Sequence, residues 1–173
     1  MNVPQRSAWR AVGPQWRERL IALALYVVLS VVGHLLWEIA QLPLYTLWWT
    51  ASRAELTFAV LHCTGGDVLI AMNALFASIV LLRAWRWPRI NALQVAALAV
   101  PLGIAYTAFS EWLNVYVRQS WAYDPAMPTV PILGYQIGGS PLAQWFIVPA
   151  AVFAALSWMR RWYVQSEPGA PEP

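Results

Sequence analysis

Three carboxyl groups within long apolar stretches are the groups of this sequence best suited to chemistry. Asp67 lies near the middle of one stretch, and Glu38 and Glu111 lie near the ends of two others. A charged side chain inside a bilayer is costly, and such residues usually serve a function. An acid in a dry setting is suited to giving or taking a proton. We therefore interpret Asp67, Glu111 and Glu38 as candidate general acid/base residues.

Polar and aromatic side chains accompany these acids at helical spacing. Ser30, His34, Glu38 and Gln41 are spaced i, i+4, i+8 and i+11, which places them on one face of a helix. Amide and imidazole groups would orient a ligand, and tryptophan faces would enclose it or stabilise a cation. The candidate substrate-binding residues are His34, His62, Asn114, Trp37, Trp112, Trp121, Gln144 and Trp145.

A metal or haem site is a further alternative, although no cofactor is identified by the sequence. The available ligands would be His34, Glu38, His62, Asp67 and Glu111, a set that suits zinc, iron or manganese. Their spacing matches no metal-binding signature, so we predict no metal. Haem held by His34 and His62 is the related possibility. The single cysteine, Cys63, excludes an intrachain disulfide and a CxxC pair.

The composition indicates a membrane protein. Of the 173 residues, 60% are hydrophobic and 11% are charged, whereas about a quarter of a soluble domain is charged. All eleven basic residues are arginines, and they give a net charge of +3. Because they cluster at the ends of apolar runs, they are typical of topology signals and lipid headgroup contacts. We therefore expect the lipid bilayer as a partner and no nucleic acid.

Four apolar runs are each long enough to form a membrane-spanning helix, which requires about 20 residues. The sequence thus predicts an all-α fold, an integral membrane four-helix transmembrane bundle in one domain over residues 20–163. Residues 1–19 would form a cytoplasmic arm, and residues 164–173 a disordered tail. The predicted spans are 20–41, 56–82, 92–117 and 141–159.

The longest loop, 119–140, is rich in proline, glycine and aromatic residues and lacks helical periodicity. Its large apolar side chains require cover, so we expect it to be ordered. Loops of this length between helices are often functional. The sequence therefore predicts a long ordered outer loop between the third and fourth spans.

The distribution of arginines predicts the topology. The amino-terminal arm has four arginines, the loop between the second and third spans has three, and the tail has two. The positive-inside rule then places both termini in the cytoplasm, and we expect a bacterial inner membrane protein. In this topology the polar residues of all four spans lie in the outer half of the bilayer. That distribution predicts an outward-facing polar pocket above an apolar floor.

These features favour a small membrane enzyme that performs acid/base chemistry on an apolar or lipid-like substrate. One alternative is a proton-coupled small transporter that acts as a dimer, for which a polar path through Asn73 would be required. The other is a non-catalytic subunit, or a metal- or haem-binding protein, of a larger membrane complex. In that case the polar face would point out of the bundle. A homodimer or a larger assembly is compatible with the sequence.

Overall fold

The computed structural model describes the backbone of residues 15–165 and the side chains of residues 16–160. Four of its helices are long and apolar enough to cross a membrane, which confirms the predicted all-α transmembrane bundle. The predicted arm before residue 15 and the predicted tail after residue 165 lie outside the described residues. The four long helices are α1 (Gln15–Gln41), α3 (Arg53–Leu81), α4 (Ala92–Trp112) and α5 (Gly139–Gln165), and α2 (Leu47–Thr50) is a single turn.

Local sequence signals account for several helix ends. Pro43 lies in a short 3-10 turn, Leu42–Leu44, that follows α1, because proline lacks the N–H needed to continue the helix. The α3 helix begins with a capping box. The Ser52 hydroxyl accepts a hydrogen bond from the Glu55 backbone N–H, and the Glu55 carboxylate accepts one from the Ser52 N–H. The end of α4 widens into a π-helix at Leu113–Val117.

The four long helices form a closed square in which each packs on two neighbours. The α1 helix contacts α3 and α5, and α4 contacts the same two helices, so α1 and α4 occupy opposite corners. Small residues permit these contacts. A Cβ placed on Gly103 of α4 would lie 2.1 Å from the Trp145 ring of α5, and one on Gly33 of α1 would lie 2.7 Å from Val148.

One half of the bundle is filled almost entirely by apolar side chains. Tyr26 is one of the largest of them; its ring lies 5.5 Å from that of Phe153, and its hydroxyl donates to the Ala71 carbonyl at 3.2 Å. Large apolar residues also cover the outward faces of the helices, with Leu93 80% exposed and Phe58 69% exposed. Such a surface suits lipid rather than water.

The other half ends in an ordered cap, which we call the hairpin end. The loop after α4 is fastened to the segment after α1 by an antiparallel bridge between Tyr45 and Tyr123. Two further backbone hydrogen bonds support it, from Thr46 to Ala122 at 3.0 Å and from Asp124 to Leu44 at 2.9 Å. The long loop was predicted to be ordered, and the structure shows why. Main-chain pairing attaches it to the segment that follows α1, far away in the sequence.

A β-hairpin completes the cap. Strands β1 (Thr129–Ile132) and β2 (Tyr135–Gly138) pair antiparallel around a turn at Leu133 and Gly134, both of which have positive φ. Glycine accepts this conformation without strain. The Tyr116 hydroxyl donates to the Gln136 carbonyl at 2.8 Å and accepts from the Gln136 N–H at 3.1 Å. The hairpin is thereby attached to the π-helical end of α4.

Candidate functional site

The polar face of α1 points into the bundle. The side chains of the predicted stripe, Ser30, His34, Glu38 and Gln41, are all buried, with exposures between 0% and 9%. On α4, Glu111 is 6% exposed, and on α5, Gln144 is 1% exposed. The Asp67 side chain on α3 is 14% exposed. Glu38, Asp67 and Glu111, which we call the acid layer, therefore all lie within the hairpin-end half of the bundle.

A directed chain of hydrogen bonds enters this layer from Trp37. The Trp37 indole N–H donates to the Ser140 hydroxyl at 3.2 Å, and Ser140 donates to the Gln41 side-chain carbonyl at 2.9 Å. The Gln41 amide then donates to Glu38 at 2.7 Å and to the Gln144 side-chain carbonyl at 3.2 Å. The indole N–H can only donate, so Ser140 is the acceptor in the first step, and the later directions follow from the orientations of the Gln41 and Gln144 amides.

Gln144 is the junction of the network. Its amide nitrogen lies 2.9 Å from the Asp67 carboxylate and 2.9 Å from Nδ1 of His34. The same His34 nitrogen is 3.5 Å from Asp67. The side chain of Gln144 thus joins residues of α1, α3 and α5, and it uses both of its amide hydrogens in doing so.

Trp145 forms the floor beneath this junction. Its ring centroid lies 5.1 Å from that of His34, and its other face packs against Gly103. The Trp145 indole N–H lies near the Asp67 carboxylate but outside normal hydrogen-bond geometry. The residue is 1% exposed, so the tryptophan separates the acid layer from the apolar half of the bundle.

The carboxyl groups of Glu38 and Asp67 lie close to each other, and hydrogen bonds through Gln41 and Gln144 link them. Within residues 16–160 the only contact between a positively charged and a negatively charged side chain is that of Arg89 with Glu18, at the opposite end of the bundle. No arginine among the described side chains pairs with the acid layer. Two ionised carboxylates this close together would repel each other.

Glu111 has a separate set of partners, supplied by the cap. The Tyr123 hydroxyl donates to its carboxylate at 2.6 Å and accepts from the Gly138 N–H at 2.9 Å, while the Tyr45 hydroxyl lies 3.5 Å away. Burial, followed by the Glu111 charge, raises the pKa of Tyr123 well above its usual range. Burial likewise raises the pKa of Tyr45. Both tyrosines therefore remain hydrogen-bond donors at neutral pH.

The partners of Glu111 and the partners of Glu38 and Asp67 belong to one site. Cys63 of α3 lies within electrostatic range of Glu38, Asp67 and Glu111, and Tyr45 lies within range of both glutamates. A groove of about 440 Å³ opens at the hairpin end between α2 and the π-helix, and Trp121 lines it. Trp121, which lines this groove, also lies near Glu111.

Three predicted site residues do not join this network. His62 is exposed on the outward face of α3 and stacks on Phe58, with ring centroids 5.4 Å apart. The Asn114 amide donates to Ser110 of its own helix at 2.9 Å. Trp112 packs against Tyr135 of the hairpin. The structure brings together the other predicted residues, which are Glu38, Asp67, Glu111, His34, Gln144, Trp37, Trp121 and Trp145.

The positions of the histidine, cysteine and carboxylate side chains can be compared with what a metal or haem site requires. Among the described residues, no three histidine, cysteine or carboxylate side chains are grouped so as to hold a metal ion. His34 uses Nδ1 within the network, and His62 faces away from it. The pair therefore does not face a common haem.

Sequence reasoning missed Tyr45, Tyr123 and Ser140. All three lie near the ends of spans or in the long loop, where no helical period marks the inward face. The only sequence signal was composition, since aromatic and hydroxyl residues are frequent in these segments. Their position beside Glu111 and Gln41 depends on contacts between residues 12 to 99 positions apart in the chain.

Comparison of this chain with protein-family models, with curated proteins and with solved structures finds no match. The geometry of the acid layer is therefore the basis for the function proposed below.

Proposed function

We propose that this protein is a small membrane enzyme that transfers a proton to or from an apolar, lipid-like substrate. Asp67 and Glu38 act as the general acid/base pair, and Glu111 is a second acid held by the tyrosines of the cap. Trp37, Trp121 and Trp145 border the reaction space. Acids held away from water are suited to proton transfer at weakly acidic or basic centres.

The approach of Glu38 to Asp67, with no arginine partner among the described residues, is the observation that carries this proposal. A structural ion pair would use an arginine to neutralise a buried carboxylate. Here the neutralising species is a proton, and a proton shared by two carboxyl groups is available for transfer. The Gln41 and Gln144 amides hold the pair in place.

The other two functions have less support. A transporter requires polar groups along the apolar half, but Asn73 is exposed on the outward face and donates to the Leu69 carbonyl of its own helix at 2.8 Å. A subunit that docks through its polar face would expose that face. His34, Gln144 and Glu111 are instead buried inside the bundle.

Transfer of deuterium from D₂O to carbon atoms of a lipid tests the proposal. The protein in lipid nanodiscs is incubated in D₂O with lipids extracted from a bacterial inner membrane, and mass spectrometry detects deuterium at carbon positions that do not exchange with water. We expect incorporation with the wild type. The Asp67→Asn and Glu38→Gln variants should lose about a hundredfold or more of this activity, the usual contribution of a general acid or base.

Glu55→Gln is the matched control, because glutamine preserves the capping box at the exposed start of α3. It should retain wild-type incorporation. Circular dichroism and size-exclusion chromatography establish that each variant is folded. Undiminished incorporation by folded Asp67→Asn would refute the assignment of this residue.

We further propose that the hairpin end faces outward from a bacterial inner membrane and that both termini are cytoplasmic. Arg83, Arg86 and Arg89 at the opposite end support this orientation. In a Cys63→Ala background, Leu133→Cys at the exposed hairpin tip should react with a membrane-impermeant maleimide in intact spheroplasts. Arg86→Cys should react only after lysis, and the reverse pattern would contradict the orientation.

A further inference from the structure

The orientation of the Gln144 amide indicates which nitrogen of His34 carries its proton. Gln144 accepts from Gln41 through its carbonyl oxygen, so its nitrogen is the atom that faces His34. That nitrogen is a donor, and Nδ1 of His34 must therefore be the acceptor. His34 is consequently a neutral imidazole with its hydrogen on Nε2.

This Nε2–H has no acceptor among the described residues, although His34 is 0% exposed. An unpaired buried donor is destabilising, because folding removes its hydrogen bonds to water without replacing them. The chain that begins at Trp37 thus ends in a donor directed at a position where the protein supplies no oxygen.

Other buried polar atoms near the acid layer also lack partners. Thr64 is one turn before Asp67, and Thr107 is one turn from both Gly103 and Glu111. Neither hydroxyl has a hydrogen-bond partner. By contrast, the Ser78 hydroxyl in the apolar half donates to Ala74 of its own helix at 2.7 Å. The buried side-chain nitrogen and oxygen atoms of the described residues that have no partner are His34 Nε2, Thr64 Oγ1, Thr107 Oγ1, Trp121 Nε1 and Trp145 Nε1.

These atoms are N–H donors and hydroxyl groups, so a partner for them must be able to accept a hydrogen bond. A hydrocarbon offers no acceptor, and a cation offers none either. A neutral hydroxyl or carbonyl oxygen can accept from the His34 N–H or from a threonine hydroxyl. A hydroxyl can also donate to an acid of the layer.

We infer that the acid layer binds the oxygen atom of a neutral alcohol or ketone carried on an apolar molecule, with His34 Nε2–H and the Thr107 hydroxyl as its partners. This inference rests on the proposed function and specifies the substrate class of the same site. The substrate is then an oxygenated lipid-like molecule, and its apolar part extends among tryptophans and lipid. The acids lie beside the polarised oxygen-bearing group.

Nuclear magnetic resonance on protein labelled with [¹⁵N]histidine tests this inference directly. The chain contains only two histidines, and His62→Gln assigns the two signals. The free protein should show His34 as the Nε2–H tautomer. The probes are methyl decyl ketone, lauryl alcohol and dodecane, three molecules of equal chain length of which only the first two contain oxygen.

The ketone and the alcohol should shift the His34 Nε2–H resonance saturably and leave that of His62 unchanged, while dodecane should have no effect. A protonated Nδ1 in the free protein would overturn the inference. So would an equal response to dodecane, or no response to either oxygenated probe. The last result would leave ordered water as the partner of His34.

Thr107→Val provides a second measurement, because valine has a similar shape and removes a hydroxyl that has no partner in the protein. The variant should fold as well as the wild type and bind the ketone about two- to tenfold more weakly, the equivalent of one hydrogen bond. Thr57→Val is the control, since its hydroxyl donates to Arg53 of its own helix on the exposed face. Unchanged ketone affinity in Thr107→Val would overturn the placement of the oxygen.

The two proposals fail separately. Ketone binding at His34 without deuterium transfer to any lipid would refute the enzyme and leave the oxygen site intact. Deuterium transfer that depends on Asp67, without a response at His34, would refute the oxygen site and leave the enzyme proposal intact.

Discussion

Gln144 donates a hydrogen bond to Asp67 at 2.9 Å across the centre of the bundle. The two residues belong to α5 and α3, which are not neighbours in the square of helices. The bond therefore connects opposite corners, and the same amide nitrogen also reaches His34 of α1. One neutral side chain thus connects three helices, and its removal should weaken the packing of all three.

Gln144→Leu should be strongly destabilising. The substitution removes the buried hydrogen bonds that Gln144 makes with Asp67, His34 and Gln41, and a buried polar group that loses its partner costs about 1–3 kcal/mol. We expect a loss of at least about 2 kcal/mol in the free energy of unfolding. Reversible unfolding in mixed detergent micelles, followed by circular dichroism, measures it.

The matched control is Gln94→Leu, the same substitution at an exposed position of α4. Surface substitutions away from a network usually change stability by less than about 0.5 kcal/mol. Equal losses in the two variants would show that Gln144 does not act as a junction.

Gly103→Ala should disrupt the contact between α4 and α5. The added Cβ would lie 2.1 Å from the Trp145 ring, which is too close for any side chain to occupy without movement. Overpacking of this kind costs about 1–3 kcal/mol. Thermal unfolding should show the loss, and Trp145, displaced from His34, should change its fluorescence.

Gly65→Ala and Gly66→Ala are the controls, because nothing lies within 4 Å of a Cβ at either position. Alanine is the better helix former by about 0.5–1 kcal/mol, so these variants should be neutral or slightly stabilised. Destabilisation of all three variants alike would argue against a specific contact at Gly103.

Tyr123→Phe should loosen the cap. The hydroxyl both donates to Glu111 and accepts from the Gly138 N–H, so its removal breaks two hydrogen bonds. We expect a cost of about 1–3 kcal/mol and faster hydrogen exchange at the Gly138 amide. Tyr116→Phe removes a hydroxyl that contacts the same hairpin without reaching Glu111, and it should cost less. A larger effect of Tyr116→Phe would contradict this account.

Stability should fall at alkaline pH because of the cap tyrosines. Burial raises the pKa of Tyr123 and Tyr45 in the folded protein, whereas an unfolded tyrosine ionises near pH ~10. Above that pH the unfolded state releases protons that the folded state retains, so stability decreases as pH rises. Unfolding measured between neutral and strongly alkaline pH should show this decline, and Tyr123→Phe should reduce its slope. An identical slope in the variant would exclude Tyr123 as a source.

Periodicity and composition predicted much of this architecture. The apolar runs marked four spans, and the spacing of His34 and Glu38 placed them on one face of a helix, which the structure turns inward. This inference succeeds because an apolar run must satisfy its own backbone as a helix in lipid, and helical geometry is local. The boundaries agreed less well, since α1 begins at Gln15 and α5 extends to Gln165, both beyond the predicted limits of their spans.

The difference between His34 and His62 could not be predicted from the sequence. Both lie on apolar helices, but one is enclosed beside Trp145 and the other is exposed beside Phe58. When most faces of a helix are apolar, hydrophobicity does not fix its rotation about its own axis. Packing decides it, through contacts such as that of Gly103 with Trp145.

The sequence by itself thus determined that the chain forms four membrane-spanning helices and that its acids are concentrated toward one end of them. Tertiary structure alone decided that Glu38 meets Asp67 and that Tyr123 reaches Glu111. The first kind of information depends on neighbours within a few turns of helix, where periodicity is informative. The second depends on helix rotation, on the register between helices and on a loop that folds back over the bundle, all of which are set by contacts between distant parts of the chain.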